Sequence, residues 1–536
     1  MLARCTEYAD PVSRKVSANA MTFARFVAMK MRATTNVPHA EGERRTHFEV
    51  FDSQVGFWAT RHRDDLPAII SDTLADLVRP ASRPRWDRKP LPDPPAPLNH
   101  GKFAGSICEL VLGILSKEPP MMDLDGDHSR GKLLFSCGTV MDFEANTTRK
   151  AVPEDRLGHQ MGCELKIFEP NASTPLFEDI EAWVKLGEPS LRSSEVGLRV
   201  GEELTRLSSE CKVLGVIRSF AGDWEGAVWL LRTVTRMATG NPRICEFLYL
   251  FGPGSSGKDV VMLVVLSFFG AKPQNYGCVL NGNFLVDSKG SSKEGASPFL
   301  ASTVGKRFVW ASEVPQHSNL QVDIIKQFCE QSGAPITARK LYKAPVSFRP
   351  VGVICATSNF PPQVTHKDDS GYTRRARIWQ TTQTFSTKPT KMTEIKADPL
   401  IKQRIAQGEF NAELLWLVKG LARTLSPEAN PTTELEPRPQ FMKDMELECA
   451  EGGSAERFPE FLAKETKPCD RKLATPVKDF KVALAAFLGV SKAQAGIIMT
   501  SNGYATNGTS NGITRVAVGF HPERGQSKGD GLQLTK

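Results

Sequence analysis

Apolar and polar positions along residues 241–385 alternate between runs of strand length and runs of helix length. Three strand-length apolar runs, FLYLF (247–251), FVWAS (308–312) and VGVICA (351–356), each end at a polar turn. The apolar segment Val260–Phe269 is too long for one strand and suits a buried helix. This alternation predicts an α/β nucleotide-binding core with a parallel sheet.

The segments before and after this core are predicted from their own patterns. Residues 80–98 are rich in Pro and charge, which predicts an extended linker, and one small helical unit is expected before it, with a helix-like patch at 72–78. LLFSCGTVMDF (133–143) predicts a hairpin, and helical patterns occupy 175–240 and 411–425.

The last unit, 455–525, contains helical patterns at Val477–Leu488 and Ser491–Thr500 and then a hairpin rich in Gly and Asn. Two helices and a hairpin are the outline of a winged-helix domain, whose second helix commonly enters a DNA groove. A packing or assembly module of the same outline is the open alternative. The expected organisation is a partly disordered basic region and linker (1–98), an α+β and helical region (99–240), the nucleotide-binding core (241–385), a helical extension (386–454), the winged-helix-like domain (455–525) and a disordered tail (526–536).

Composition bounds the class of protein. Of 536 residues, 40% are hydrophobic and 24% are charged, and no apolar run approaches the ~20 residues of a membrane helix, so a soluble protein with no membrane partner is expected. The net charge of +8 permits a nucleic-acid partner without proving one. Eleven cysteines without a CxxC pair argue against zinc and for an intracellular protein. Residues 11–40 are basic with no acid, as in organellar transit peptides and basic disordered tails, so nuclear, cytoplasmic and organellar locations all fit.

The candidate chemistry begins at GPGSSGKD, between the first apolar run and the apolar helix. Its members are Gly252, Pro253, Gly254, Ser255, Ser256, Gly257, Lys258 and Asp259. Backbone N–H groups and the positive end of the following helix would form a nest for a polyphosphate, with Lys258 as a point charge on it. Asp259 stands where the full signature has a Ser or Thr that binds Mg²⁺. A Gly-rich turn without a ligand is the alternative.

Two other apolar runs end in groups suited to nucleotide hydrolysis. KRFVWASE ends at Glu313, which at the carboxyl edge of a parallel sheet would polarise the attacking water or hold Mg²⁺ through it. VGVICATSNFPP stops at Asn359, which can hydrogen-bond both the γ-phosphate and that water. Taken singly, they are a solvated carboxylate and a turn-capping Asn.

Two basic segments complete the set. Arg374 and Arg375 lie on a loop leading into a strand, and an Arg from a neighbouring subunit would stabilise charge on the transferring phosphoryl group. Residues 332–348 predict a hairpin whose tip could hold a phosphate and stack a base of a single strand, through Arg339, Lys340, Tyr342 and Lys343. Ordinary surface charge is the alternative for both segments.

In this order the motifs resemble those of superfamily 3 helicases, closest to the helicase half of poxvirus-type, giant-virus and phage or plasmid primase–helicases. The resemblance is carried by GPGSSGKD (252–259), KRFVWASE (306–313), SGAPITARKLYK (332–343), ATSNFPP (356–362) and RRARIW (374–379). It is strong over 245–385 and faint over the rest of 130–525.

The resemblance implies a P-loop ATPase of modified AAA+ type, in a ring that is typically a homo-hexamer. Such rings hold ATP and Mg²⁺ between subunits and move along single-stranded or forked DNA in a replication module, with a primase or another replisome protein as partner. Lys258 would contact the phosphates, Glu313 and Asp259 would serve Mg²⁺ and the water, and Asn359 would be the sensor. Arg374 or Arg375 would be the finger supplied in trans, and the 339–343 tip the moving DNA contact.

Departures from the pattern leave other functions open. Asp259 replaces the Mg²⁺-binding hydroxyl, and Ala334 stands where relatives usually have Asp. A carboxylate can ligate Mg²⁺, with Ser312 supplying the hydroxyl, but its repulsion of a phosphate is on the order of 4 kcal/mol before the metal offsets it. An adapted ATPase and a weakened nucleic-acid-binding remnant are therefore both consistent with it. Another P-loop enzyme, such as a small-molecule kinase, is disfavoured by the ordered motifs. The ~100 residues at the front are too few for a primase domain, so no primer synthesis is expected.

Overall fold

The structure is a computed structural model. It describes residues 33–34, 47–52, 56–62, 65–66, 68–69, 111, 124–126, 129–170, 175–240, 246–287, 298–316, 318–330, 335–339, 345–364, 369–391, 394–450, 458–469, 477–488, 495, 499, 508–510, 513–515 and 531–534. The chain divides into two compact units, one of Met1–Gln363 with Arg374–Gln440 and one of Val364–Thr373 with Phe441–Lys536.

The first described elements form an antiparallel sheet of β1 (Ala33–Thr34), β2 (His47–Asp52) and β3 (Phe57–His62). Phe51 and Trp58 pair across β2 and β3, and Trp58 Nε1 donates to the carbonyl of Pro153 at 3.1 Å. The sequence predicts only a small helical unit here, because these strands are too short to stand out as alternating runs. Its helix-like patch at 72–78 lies outside the described residues.

A second antiparallel sheet contains β4 (Lys132–Leu134), β5 (Thr139–Asp142) and β6 (Thr147–Lys150), which confirms the hairpin predicted at 133–143. The predicted helical zone is also confirmed, by α1 (Leu176–Leu186), α2 (Glu195–Leu207), α3 (Lys212–Ala221) and α4 (Trp224–Thr239). Ser194 and Asp223 cap α2 and α4 by accepting backbone N–H bonds.

The core is a five-stranded parallel sheet, as the alternating pattern predicts. In chain order its elements are β7 (Phe247–Phe251), α5 (Lys258–Phe269), β8 (Gly277–Asn281), α6 (Pro298–Ala301), β9 (Phe308–Ser312), α7 (Val322–Phe328), the antiparallel pair β10 (Ile336–Ala338) and β11 (Val346–Phe348), β12 (Val353–Ser358) and β13 (Ala376–Gln380). The short helix α8 (Ser370–Thr373) lies between β12 and β13 in sequence and belongs to the second unit. The strand order is β13-β7-β12-β9-β8. Trp379 of β13 packs on Phe220 and Trp229, which anchors α3 and α4 to the sheet.

Beyond the sheet, β14 (Thr384–Ser386) pairs in parallel with β15 (Glu394–Lys396), and α9 (Ile401–Ala406) and α10 (Asn411–Leu421) follow. A 3₁₀ turn at Ala422–Leu425 extends α10, so the helix predicted over 411–425 is confirmed. The buried guanidinium of Arg232 on α4 donates to Thr424 and Asn430 and to the carbonyl of Glu436. These bonds join α4 to the segment after α10.

The second unit contains most of α11 (Gln440–Ala450), then α12 (Phe458–Glu465), β16 (Thr466–Cys469), α13 (Val477–Leu488), β17 (Gly508–Ser510), β18 (Ile513–Arg515) and β19 (Gly531–Leu534). α13 matches its predicted bounds, and β17 and β18 pair as the predicted hairpin. Of the helix predicted over 491–500, only Ala495 and Met499 are described, both helical and both packed in the core of this unit. The winged-helix outline stays a prediction.

The disordered tail predicted over 526–536 is wrong for residues 531–534. These residues form β19, which pairs antiparallel with β16. The sequence Gly-Leu-Gln-Leu alternates polar and apolar positions, and β16 offers it unpaired backbone groups. A four-residue alternation is too short to predict a strand on its own.

Within the part of the chain that the structure describes, no helix is long and apolar enough to span a bilayer. Among the described residues, the buried Cys211 and Cys355 are free thiols.

Candidate functional site

The sheet order places the three predicted motifs side by side. β12, which leads to Asn359, lies between β7, which leads to the Gly-rich loop, and β9, which leads to Glu313. All three strands are parallel, so their carboxyl ends meet at one edge of the sheet, where ligands bind in open α/β folds. Residues separated by about a hundred positions in sequence are thereby brought together.

The loop of residues 252–257 has backbone conformations that require glycine or carry strain. Gly252 has φ 148° and Gly257 has φ 85°, while Ser255 adopts φ 61°, which is uncommon outside glycine. The Ser255 carbonyl accepts the backbone N–H of Phe385 at 2.8 Å. The strand after the core sheet therefore holds the loop in this conformation.

Gly252 and Gly254 offer a matched test of this loop. A Cβ at Gly252 would overlap the hydroxyl of Thr381 and lie 2.7 Å from its carbonyl oxygen, whereas one at Gly254 meets nothing within 4 Å. We expect Gly252→Ala to lower the free energy of unfolding by about 2–4 kcal/mol and Gly254→Ala to change it by less than about 1 kcal/mol. Urea unfolding measures both, and equal losses would contradict the packing at Gly252.

Lys258 begins α5 and turns its ammonium group back into the loop. Nζ donates to the carbonyls of Gly252 (2.9 Å) and Pro253 (3.0 Å), to Ser256 Oγ (3.1 Å) and, at 3.4 Å, to Asn359 Oδ1. The residue is 7% exposed. Burial lowers the pKa of Lys258, and the charge of Asp259 partly offsets this. A phosphate entering the loop would replace weak carbonyl partners with a charged one.

Asp259 occupies the first turn of α5, is exposed, and lines the same cavity as Glu313. The positive end of the helix favours a carboxylate there. Two carboxylates facing one cavity are hard oxygen donors of the type that Mg²⁺ takes, usually together with water and phosphate oxygens. The described residues contain no cluster of three or more His, Cys, Asp or Glu that could hold a metal without a ligand. The donor set therefore fits a Mg²⁺ that arrives with a nucleotide.

Glu313 follows β9 in a left-handed backbone conformation, with φ 59° and an exposed side chain. The next residue fixes it: Val314 N–H donates to the carbonyl of Thr357 at 2.9 Å, and the Val314 carbonyl accepts from Ser358 Oγ at 2.9 Å. A non-glycine residue in this conformation costs of order 1–3 kcal/mol. The Glu313 carboxylate lines the cavity, and the hydrogen bonds of Val314 to Thr357 and Ser358 of β12 maintain the strained backbone conformation.

Asn359 lies on a turn that is braced from both neighbouring strands. Ser358 Oγ accepts the Phe360 N–H at 3.1 Å, and Tyr249 of β7 donates its hydroxyl to the Phe360 carbonyl at 3.2 Å. The amide is exposed to the cavity while its oxygen accepts from Lys258. Asn359 therefore contacts Lys258, the cation of the Gly-rich loop, directly.

A cavity of about 960 Å³ contains the loop, Lys258, Asp259, Glu313 and Asn359. Its described lining carries five cations and three acids, which are Lys212, Lys258, Lys396, Lys402 and Arg404, and Asp259, Glu313 and Asp398. The excess of cations suits a polyanion.

Sequence reasoning missed the apolar wall of this cavity. Phe220 and Phe385 both approach Gly257, within 3.5 and 2.8 Å of the position that a Cβ would take. They come from α3 and β14, one before and one after the core sheet. Neither lies in a recognisable motif, so only the fold could identify them. The two rings form an apolar face of the cavity beside the Gly-rich loop.

The two candidate fingers are placed differently, and neither lines the cavity. Arg375 is 4% exposed and donates to the Cys329 carbonyl and to Glu330 Oε2, both at 3.0 Å. Arg374 is exposed. The sequence alone does not distinguish the two arginines. Because Arg375 is buried, Arg374 is the one of the two that a second subunit could reach.

The predicted DNA contact is only partly described. β10 and β11 form the hairpin stem, with Thr337 Oγ1 and Ser347 Oγ 2.8 Å apart, and Arg339 is exposed at its end. Lys340, Tyr342 and Lys343 lie outside the described residues. The role of the tip stays a prediction.

Comparison with known proteins gives a coarse result. No family model matches the chain. The chain is 26% identical over 283 residues to the protein named "Putative helicase L207/L206" of Acanthamoeba polyphaga mimivirus, a match over 52% of this chain and 24% of that protein. It therefore spans about a quarter of the length of this relative.

Solved apo structures of the NrS-1 C-terminal region are also similar. One has a TM-score of 0.37 at 11% identity, covering 93% of this chain and 100% of that chain. Another has a TM-score of 0.28 at 13% identity, covering 57% and 74%. The comparisons therefore show weak homology to a giant-virus protein that is named a putative helicase.

Proposed function

We propose that this protein binds and hydrolyses ATP and uses the energy to move along single-stranded or forked DNA as a helicase or translocase. One observation carries the ATPase part: Lys258, Glu313 and Asn359 converge from adjacent parallel strands on one cavity. The phosphates would lie on the N–H groups of the loop and on Lys258, with the base against Phe220 and Phe385. Mg²⁺ held by Asp259 and the phosphates would neutralise developing charge.

In this scheme Glu313 accepts the proton of the attacking water, and Asn359 orients that water against the γ-phosphate. The reaction would be completed at a subunit interface of a homo-hexameric ring, where Arg374 of one subunit reaches the nucleotide of the next. Assignment of Arg374 rather than Arg375 is supported by exposure of the first and burial of the second.

The DNA part of the proposal is supported by the similarity to the mimivirus protein, the net charge of +8 and the Arg339 hairpin. Its test is steady-state ATPase activity with and without single-stranded DNA at two Mg²⁺ concentrations, followed by strand separation on a forked duplex. Turnover that rises with DNA supports the motor. Turnover that ignores DNA would contradict it and favour another P-loop enzyme.

Asp259 favours a second candidate, a remnant that binds nucleic acid and turns over little ATP. We expect Asp259→Ser to lower kcat roughly 10- to 150-fold if the carboxylate is an adapted Mg²⁺ ligand, since one charged contact is worth about 1.5–3 kcal/mol. A decayed site would instead gain activity, because the repulsion beside the phosphates is removed. Measuring kcat against Mg²⁺ concentration for both proteins separates the two, and a rise in kcat would transfer the assignment to the remnant.

A further inference from the structure

One carboxylate outside the cavity holds two of its cations. Glu409 Oε1 is 2.5 Å from Lys212 Nζ, and Glu409 accepts from Arg404 through Nε at 2.7 Å and Nη2 at 3.0 Å. Lys212 and Arg404 both line the cavity, whereas Glu409 does not. Lys212 begins α3 and Arg404 lies on α9, so Glu409 ties together two walls of the cavity.

The ion pairs continue to the cavity itself. Arg404 Nη1 donates to Asp398 Oδ2 at 2.7 Å, and its guanidinium lies 5.1 Å from the ring of the buried Phe410. Hydrogen bonds from Arg404 and Lys212 lower the pKa of Glu409 to about 2. Glu409 therefore stays charged at any physiological pH, and it is an anionic partner of both cations.

We propose that Glu409 is an internal competitor of the nucleotide phosphates: it pairs with Lys212 and Arg404 and releases them when a polyphosphate binds. This rests on the proposed nucleotide site. A triphosphate carries more charge than one carboxylate, and a bidentate guanidinium binds phosphate as readily as carboxylate. Binding would then exchange partners in the Lys212–Glu409–Arg404 chain.

The exchange reaches beyond the cavity because α3 and α10 are joined at the same end. The buried Glu413 of α10 accepts the backbone N–H of Val213 in the first turn of α3 at 2.7 Å. α3 also carries Phe220 of the base wall. Release of Lys212 would therefore loosen one polar tie between α3 and the chain around α10 while the nucleotide gains a cation.

The test is the affinity of ATP and of inorganic tripolyphosphate for Glu409→Gln. Because Gln keeps the acceptor oxygen and loses the charge, we expect both ligands to bind roughly 3- to 10-fold more tightly at low salt. The gain should shrink as salt rises. In the Lys212→Gln/Arg404→Gln background the same change should have no effect, since the freed cations are gone.

Glu203→Gln is the matched control. Glu203 accepts from Arg206 with the same two-bond geometry, at 2.9 and 2.7 Å, on α2 outside the cavity lining. It should leave both affinities unchanged.

Unchanged or weaker binding by Glu409→Gln, with wild-type binding that depends on Lys258, would overturn the competition alone. Absence of ATP binding by the wild type would overturn the proposed function and this inference together. If Glu409→Gln does not fold, Asp398→Asn, which removes the other acid on Arg404, must show the tighter binding.

Discussion

Lys258→Ala is expected to weaken ATP binding roughly 10- to 150-fold and to reduce turnover by roughly 10²–10³. Lys258 is the buried cation of the Gly-rich loop, and its Nζ donates to the carbonyls of Gly252 and Pro253 and to Asn359 Oδ1. Ala removes both the charge for the phosphates and the bridge between loop and sensor. Fluorescence titration with a labelled ATP analogue and steady-state ATPase assays measure the two losses.

Folding of this variant should survive, because burial lowers the pKa of Lys258 and so the protein gains little from holding its charge. Thermal unfolding checks this directly. Lys185→Ala is the control, since Lys185 lies on α1 in an ion pair with Glu181 and does not line the cavity. ATP binding that persists in Lys258→Ala, in a folded protein, would exclude the Gly-rich loop as the phosphate site.

Much of the core can be predicted from the sequence because its strands are buried on both faces. FLYLF, FVWA and VICA are continuous apolar runs, and each lies in a strand of the parallel sheet. Their polar ends mark the carboxyl edge, so Lys258, Glu313 and Asn359 could be named before any contact was known. Local pattern suffices where each functional group sits at the end of its own element.

The rest of the site depends on long-range contacts that no local pattern encodes. Phe220 and Phe385 both lie beside Gly257 because Trp379 packs on Phe220 and the Phe385 N–H donates to the Ser255 carbonyl. Arg374 and Arg375 are neighbours of the same residue type, yet only Arg375 is buried, where it donates to the carbonyl of Cys329. β19 pairs with a strand more than sixty residues away, which a four-residue alternation cannot indicate.

Glu313→Gln is expected to separate binding from chemistry. The amide cannot accept the proton of the attacking water, so turnover should fall by roughly 10²–10⁴ while ATP affinity changes less than about threefold. Gln has nearly the same shape as Glu. The hydrogen bonds that fix the backbone here run from the Val314 N–H to the Thr357 carbonyl and from Ser358 Oγ to the Val314 carbonyl, so they do not involve the replaced side chain. Single-turnover kinetics with ATP in the presence of Mg²⁺ measure the chemical step. Glu195→Gln, at an ion pair on α2, is the matched control and should be silent in both assays.

The left-handed backbone at Glu313 permits a sharper form of the same prediction. Gly at this position removes the conformational cost that Glu bears at φ 59°, so Glu313→Gly should be more stable than the parent by about 1 kcal/mol. It should also be as inactive as Glu313→Gln. Gain of stability with loss of turnover would mean that the strain is maintained for the carboxylate and serves catalysis. A destabilised Gly variant, or a Gln variant with near-parental kcat, would instead assign Glu313 a structural role and require a different base in the cavity.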